Sequence, residues 1–465
     1  MLQKFKKLLA TPRLLSTRIS PAYSTSYVQR LSFTNLEQKA KYERILQLLS
    51  YGEISVGAMD FRGAWSKYQE ALQLSEDTFG GEEAETALSL HKLGDLYQIE
   101  GKFSKSFDLY TRALNILKKF ETNHQNKNLI ASLEKSIGLL FKHTENYPKA
   151  MNYLLESAQF WSELDEYDHA LQSLRFLQEM VDKKLILDPH VIAEICEFCG
   201  DIYTRVGELD LAKENLNKAL QLKTEKNSGV TYALLGFLAL KENEMQKALD
   251  YLSKGIHLCL KSKDKNLLIL ARSFATLGCI NEANRDYEKA LENFTASYNL
   301  FMEISDGQED VKSVKVLTDM GNIYFYQDKL EKALECFEKS AKIAETTEIN
   351  DSDFLSTLCN NLATLYTRLE RNDEASQYLK KAISLKEEED SASDQDILDL
   401  GHLYRKLGII HANTLKFQEA KICFEKSFEA YNLILGEFDI ESQTTMTLLL
   451  EVKNRLKDLQ KIETI

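Results

Sequence analysis

An all-α solenoid of stacked helix pairs is the fold this sequence predicts, on three observations. A spacing motif recurs nine times, stretches of helical periodicity flank each copy, and only four prolines occur, two of them (Pro12 and Pro21) near the start. In the motif a glycine or alanine is followed twelve residues later by a small residue, four after that by a large apolar one, and three later by another small one. The sets are Gly52/Ala64/Tyr68/Ala71, Gly94/Ser106/Tyr110/Ala113, Gly138/Ala150/Leu154/Ser157, Gly200/Ala212/Leu216/Ala219, Gly236/Ala248/Leu252/Gly255, Gly278/Ala290/Phe294/Ser297, Gly321/Ala333/Phe337/Ser340, Ala363/Ala375/Leu379/Ala382 and Gly408/Ala420/Phe424/Ser427. A fixed offset repeated this often marks units that bury their apolar faces only against their neighbours.

Each unit reads as two antiparallel helices. Residues 89–99 and 103–114 show the pattern, with apolar positions at helical spacing in both stretches. Gly101, Asn146, Gly207, Asn243, Asp286, Asp328, Arg371 and Lys416 mark the turns where first helices end. Glycine inside a helix costs about 1 kcal/mol relative to alanine, so its repeated use implies that close packing of the paired helices offsets the loss.

The chain resembles the tetratricopeptide repeat family on these residues. The family pattern Trp-x2-Leu-Gly-x2-Tyr followed by Ala-x3-Phe is matched by Leu93, Gly94 and Tyr97, and by Gly321, Tyr324, Ala333 and Phe337, although the tryptophan and closing proline positions differ throughout. The resemblance covers about residues 45–435 and implies a right-handed superhelical solenoid of about nine to ten helix-turn-helix repeats with a C-terminal capping helix. Glycine-to-glycine steps of 42, 44, 62, 36, 42, 43, 42 and 45 residues exceed the standard 34, so helices or connections are extended. That spacing is similar to the arrays of kinesin light chains and G-protein-signalling modulators, and to a mitochondrial member of the family that assists maturation of respiratory complex III.

The elements then follow in order. Residues 1–36 form an N-terminal extension, 37–435 the solenoid, and 436–465 a capping helix whose apolar stripe runs Ile440, Met446, Leu449, Val452, Leu456 and Leu459. The 62-residue step leaves room near 160–192 for one more helix or a degenerate pair, with Tyr167, Ala170, Leu174 and Leu177 as its apolar positions. There the helix holding Trp161 would serve as second helix of one unit and first of the next, a register break that kinks the solenoid.

The extension carries Lys4, Lys6, Lys7, Arg13, Arg18 and Arg30, no acidic residue before Glu37, and an apolar stripe of Leu2, Phe5, Leu8 and Leu9. This composition predicts an amphipathic mitochondrial transit peptide; the alternative is a basic arm or surface-binding helix. Setting its +6 against the chain's −13 leaves −19 for residues 37–465. So acidic a surface argues against nucleic-acid binding through phosphates. No apolar run approaches the ~20 residues of a membrane span, so a soluble protein or one peripheral to a membrane is expected.

Nothing reads as an active site, and no cofactor or metal is expected. Cys196 and Cys199 have the spacing of zinc and redox motifs, but both lie on a first helix at packing positions, Cys199 taking the place of Leu93 and Leu277. Cys259, Cys279, Cys336, Cys359 and Cys423 are dispersed. His411 replaces the repeat tyrosine, and no Gly-x-Ser-x-Gly or Walker sequence occurs.

What remains is the groove. By the resemblance, first helices line a concave surface and present ligand contacts at offsets −6, −3, −2, +1 and +5 from the repeat glycine. In the last three units these offsets hold Lys315, Thr318 and Asn322; Asn360, Asn361 and Arg368; and His402, Arg405 and Lys406. Asparagines can clamp a peptide backbone as donor and acceptor, while cations can hold carboxylates. Thr318 stands where the first lysine of a chaperone-type carboxylate clamp would be. Around Gly236 the offsets are apolar (Val230, Ala233, Leu234, Phe237, with Lys241), suited either to a partner helix or to a tightly wound neighbour. Around Gly200 they are mostly acidic (Glu194, Glu197, Phe198, Asp201, Arg205).

The expected function is a non-catalytic protein-interaction scaffold, taking an extended peptide or helix in the groove. Extension and resemblance together point to mitochondria, in the matrix or peripheral to the inner membrane, and to an assembly factor or accessory subunit of a respiratory-chain complex. The rivals are a cytosolic adaptor of kinesin-light-chain or signalling-modulator type and a subunit of an RNA-processing enzyme, the latter opposed by the charge.

Overall fold

The computed structural model describes residues 36–120, 124–262, 265–308, 311–346, 351–387 and 393–463. The expected transit peptide lies outside them. Among the described residues there are twenty α-helices and no strand. The chain divides into two compact units, Met1–Thr224 and Glu225–Ile465.

In the first unit α1 (Leu36–Gly57) pairs with α2 (Phe61–Phe79), α3 (Ala84–Ile99) with α4 (Phe103–Leu117), and α5 (His124–His143) with α6 (Tyr147–Glu163). An odd helix, α7 (Tyr167–Asp182), follows, and then the pair α8 (Pro189–Val206) and α9 (Leu209–Leu222). The second unit holds the pairs α10 (Gly229–Lys241) with α11 (Met245–Lys261), α12 (Leu267–Ala283) with α13 (Tyr287–Ile304), α14 (Val311–Tyr326) with α15 (Leu330–Thr346), α16 (Ser352–Arg368) with α17 (Asn372–Glu387), and α18 (Asp394–Asn413) with α19 (Phe417–Ile434). The last helix, α20 (Ile440–Glu463), packs on α19 through Leu449 and Val452, buried against Ala420 and Phe424.

The motif positions explain the pairing. A Cβ added at Gly94, Gly278, Gly321 or Gly408 would lie 2.5–2.7 Å from the ring of Tyr110, Phe294, Phe337 or Phe424, the residue sixteen further on. Gly138, Gly200 and Gly236 stand in the same relation to Leu154, Leu216 and Leu252. The large side chain of the second helix therefore lies flat on the bare backbone of the first, and the small residues at +12 are fully buried beside it.

This approach creates a further bond that the motif alone does not announce. Where the last small residue is serine, its Oγ donates across the pair to a carbonyl 26 residues earlier: Ser157 to Ala131 (2.8 Å), Ser297 to Ala271 (2.8 Å), Ser340 to Val314 (3.0 Å) and Ser427 to Gly401 (2.8 Å). In the Ala363 unit the same positions are linked the other way, Ser356 Oγ donating to the Ala382 carbonyl at 3.1 Å. Each such bond satisfies a buried hydroxyl and contributes about 1 kcal/mol.

First helices end in left-handed residues. Gly101, Gly207, Asn243 and Asp328 take positive φ at the positions read from the sequence. For Asn146, Asp286, Arg371 and Lys416 the left-handed residue is the preceding one (Glu145, Arg285, Glu370, Leu415), because the following amide closes a six-residue ring, as in Asn146 N–H to the Phe141 carbonyl at 2.9 Å. The junction of α6 and α7 has this same turn, with Asp165 left-handed and Glu166 N–H bonded to the Trp161 carbonyl at 3.0 Å. Helix α6 therefore packs on α5 on one side and turns into α7 as a first helix would.

Two buried cations fasten neighbouring helices. Lys223 lies 2.7 Å from Glu197, with both side chains under 10% exposed (6% and 8%). Lys386, 6% exposed, sits between Asp353 and Asp396, and Asp396 also closes a capping box with Ser393 at the start of α18.

Two outcomes are expected on denaturant unfolding. Gly321→Ala destabilises by about 1–3 kcal/mol despite alanine's better helix propensity, whereas Gly57→Ala, where an added Cβ meets nothing within 4 Å, stabilises by up to about 1 kcal/mol. Lys223→Met costs about 3–5 kcal/mol by removing the ammonium paired with the buried Glu197 carboxylate, and adding Glu197→Gln recovers most of it.

Candidate peptide-binding face

In the second unit the first helices α10, α12 and α14 each touch the first helix that follows as well as their own partners, so offsets −2 and +1 from neighbouring glycines meet. Four of the candidate residues join into one row. Asn361 Nδ2 donates to Asn322 Oδ1 at 3.0 Å, linking α16 to α14, and Lys406 Nζ donates to Asn360 Oδ1 at 2.8 Å, linking α18 to α16. Lys406 also reaches Thr364 Oγ1 at 3.2 Å, a member of the row missed from sequence although it stands at offset +1 from Ala363. All five are half-buried. Burial, and then the charge of Arg405, hold the Lys406 ammonium below its ordinary value, and among the described residues no carboxylate pairs with it.

The inventory of an asparagine amide leaves groups over. With those bonds made, the row still offers the Asn322 and Asn360 amide N–H groups as donors and Asn361 Oδ1 as an acceptor, the complement of a peptide backbone.

The other candidates lie apart from this row, each engaged elsewhere. Lys315 bonds Asp351 at 3.1 Å and covers the Phe354 ring; Arg368 bonds Asp328 at 2.8 Å and covers Phe325. His402 Nδ1 lies 2.7 Å from Tyr431 OH, and Arg405 stacks on the same tyrosine while pairing with Glu441 of α20. Thr318 is buried inside its pair, donating to the Val314 carbonyl and touching Ser340 Oγ at 2.8 Å.

Beside the row, at offset −2, Asp319 on α14 faces Glu282 and Cys279 on α12. Burial first, and the Glu282 charge second, push the Asp319 carboxyl up to about 7. The apolar stretch around Gly236 packs within its own unit: Ala233 and Leu234 are buried, and Val230 lies against Ile256, Cys259 and Leu270. Of the acidic stretch around Gly200, Glu197 is the buried partner of Lys223, and Asp201 bonds Arg205 at 3.2 Å.

One arrangement in the first unit brings together a serine, a histidine and an aspartate. His91 Nε2 lies 3.0 Å from Ser136 Oγ and 3.5 Å from Asp95 Oδ1, so hydroxyl and carboxylate meet the same ring nitrogen and no relay through the imidazole exists. Burial lowers His91 to about 4, leaving it neutral. Cys196 and Cys199 are buried free thiols, Cys199 pushed up to about 12 by burial. Among the described residues no group of three or more His, Cys, Asp or Glu side chains is placed to hold a metal ion, and no helix is long and apolar enough to cross a membrane.

Residues 46–119 and 313–388 match one tetratricopeptide repeat family model, and residues 193–226 match another. The chain is a tetratricopeptide repeat protein. Its relatives include the transcriptional activator NprA of Geobacillus stearothermophilus, 21% identical over 388 residues, spanning 76% of this chain and 90% of that protein. A kinesin-light-chain-related protein of Arabidopsis thaliana is 21% identical over 292 residues, 60% of this chain but 44% of the relative. Among solved structures, a signal-transduction ATPase with a tetratricopeptide repeat sensor from Pyrococcus horikoshii has the same fold over 77% of this chain and 54% of its own, with a TM-score of 0.50 at 16% identity. Tetratricopeptide repeats build protein-interaction scaffolds, and the row from Asn322 to Lys406 lies on the first-helix layer of this one.

The raised Asp319 carboxyl has a defined pH signature. A carboxyl whose folded-state value exceeds its ordinary one takes up a proton on folding, so it costs stability progressively as pH rises from about 4 to about 7. Asp319→Asn is therefore expected to raise the urea midpoint at pH 8, with the gain shrinking to nothing near pH 4.

Proposed function

We propose that the chain is a non-catalytic scaffold whose second unit holds an extended segment of a partner protein along Asn322, Asn361, Asn360 and Lys406. One observation carries this reading: amides on α14 and α16 and an ammonium on α18 are hydrogen-bonded into a row, half-buried, with donors and an acceptor left over. Backbone recognition by the amides supplies affinity for an extended chain, and Lys406 selects a segment bearing a carboxylate beside it.

Selection of a displayed random-peptide library on the intact protein tests this. Asn361→Ala is expected to weaken the selected peptide at least tenfold, about 1.4 kcal/mol, with far-UV circular dichroism unchanged. Equal binding by the variant overturns the assignment.

We further propose that the scaffold works in mitochondria, in the matrix or peripheral to the inner membrane, as an assembly factor or accessory subunit of a respiratory-chain complex. The support is the acid-free, basic first 36 residues. The second reading, a cytosolic adaptor, is favoured by the kinesin-light-chain-related relatives. Sequencing the N-terminus of the endogenous protein separates the two: a start between about residues 15 and 40 supports import, and a retained Met1 overturns it.

A further inference from the structure

Glu134 on α5 is fully buried, and among the described residues neither of its carboxylate oxygens has a hydrogen-bond partner. It stands at offset −4 from Gly138, where the other eight units hold only leucine, cysteine, tyrosine or phenylalanine. That offset is none of those by which first helices face the groove. A carboxyl here is a departure from the repeat, and burial without a partner makes it a costly one.

The other units show what belongs opposite it. Offset −4 on a first helix meets offset +18 on the second, and in six units the residue at +18 is lysine or arginine. Lys254 Nζ lies 2.9 Å from Tyr232 OH, and Lys426 Nζ 2.6 Å from Tyr404 OH. Lys218 and Lys381 act in the same way on the buried thiols of Cys196 and Cys359. In the Gly138 unit the residue at +18 is Glu156, so the most acidic side chain found at −4 faces a second acid where the repeat places a cation. Glu70, the other acid at +18, is answered by Lys67 at 3.3 Å and Arg44 at 3.6 Å. Among the described residues no cation pairs with Glu134 or Glu156. Burial first, and the Glu156 charge of α6 second, raise the Glu134 carboxyl, while Lys118 just after α4 opposes them; burial and then the two carboxyls raise the Tyr153 hydroxyl of α6. The head of Glu134 is therefore turned toward α6.

We infer that Glu134 and Glu156 form a site for an arginine side chain of a partner protein, which fills between α5 and α6 the place that a lysine of the chain itself holds in other units. The planar guanidinium has donors enough for both carboxylates at once, which an ammonium on a flexible stem matches less well. Glu156 is exposed and Tyr153 half-buried, so the arginine enters past side chains that can turn aside with the helices unmoved. As it binds, Glu134 releases its proton to solvent and the cation takes the place of that proton. The site lies in the first unit and does not rest on the proposed row in the second.

Fluorescence anisotropy of dye-labelled, end-blocked hexa-arginine on the intact protein tests this, with hexacitrulline as the uncharged isostere. Hexa-arginine is expected to bind about tenfold tighter at pH 8 than at pH 6, because a carboxyl held at about 7 passes from mostly protonated to mostly ionised over that range. Glu134→Gln should weaken binding at pH 8 at least tenfold and remove most of the pH dependence. Glu156→Lys, which restores the cation that other units carry, should weaken it as much without loss of helicity, so the outcome does not depend on Glu134→Gln folding. Glu70→Lys makes the same change of charge at the same offset in another pair and should leave the affinity within about twofold. Equal binding of hexacitrulline, an equal loss in Glu70→Lys, a pH profile unchanged in Glu134→Gln, full displacement by millimolar calcium, or no binding up to millimolar hexa-arginine would each overturn the site.

Discussion

The contact on which the rest of this structure depends is a bare glycine backbone on one helix lying flat against a large side chain sixteen residues later on the next. Phe337 on Gly321 and Tyr110 on Gly94 are instances: no Cβ fits between them, so the helix axes close until the +12 alanine or serine is also sealed from water. Only at that separation can a serine hydroxyl of the second helix reach the carbonyl of the first, as Ser340 reaches Val314. Helix propensity opposes the glycine, and packing prevails because the aromatic buries most of its surface in the space that the absent methyl leaves. In one unit alanine replaces glycine, and there the large residue is Leu379, whose branched end can shift where a ring cannot.

How much of this was legible in the sequence depended on whether a feature was repeated. The helix pairs and the fold class follow from offsets that recur, since chance seldom preserves a twelve, four, three spacing nine times. The turn residues were legible to within one position: at Glu145, Arg285, Glu370 and Leu415 the left-handed conformation is imposed by the ring of backbone hydrogen bonds around it, not by a side chain suited to that conformation. The serine-to-carbonyl bonds were hidden because serine and alanine are interchangeable as small residues in the motif. Their reversal between Ser356 and Ala382 shows that the position, not the residue, carries the geometry.

The candidate face was legible in composition but not in connectivity. Offsets from the repeat glycine say which layer a side chain occupies, and they grouped Lys315, Arg368, Arg405 and Lys406 as one basic set. They do not say which acid waits on the neighbouring helix. Arg368 meets Asp328, forty positions away, and Arg405 meets Glu441 on the terminal helix, so these charges are spent on holding successive elements together. Lys406 differs because its neighbours at the same height are Asn360 and Thr364. A partner approaching this layer therefore meets amides and one ammonium, in a protein whose overall charge would suggest the opposite.

The odd helix shows what happens when the repeat rule is broken once. Helix α6 must satisfy two partners, and Ser157 does so directly, donating to the Ala131 carbonyl on α5 while its oxygen lies 3.0 Å from Ser173 Oγ on α7. The cost appears nearby: Trp161 Nε1 and His169 Nδ1 are buried without partners, and Glu134 on α5 is fully buried with neither carboxylate oxygen hydrogen-bonded, its carboxyl pushed up to about 7 by burial and the Glu156 charge. Regular units place their polar atoms by a rule that the packing has already solved; a shared helix inherits two incompatible sets of positions and leaves some of them unsatisfied. In a protein built by repetition, unsatisfied polar groups gathered at one departure from the repeat are where recognition peculiar to that chain has room to arise.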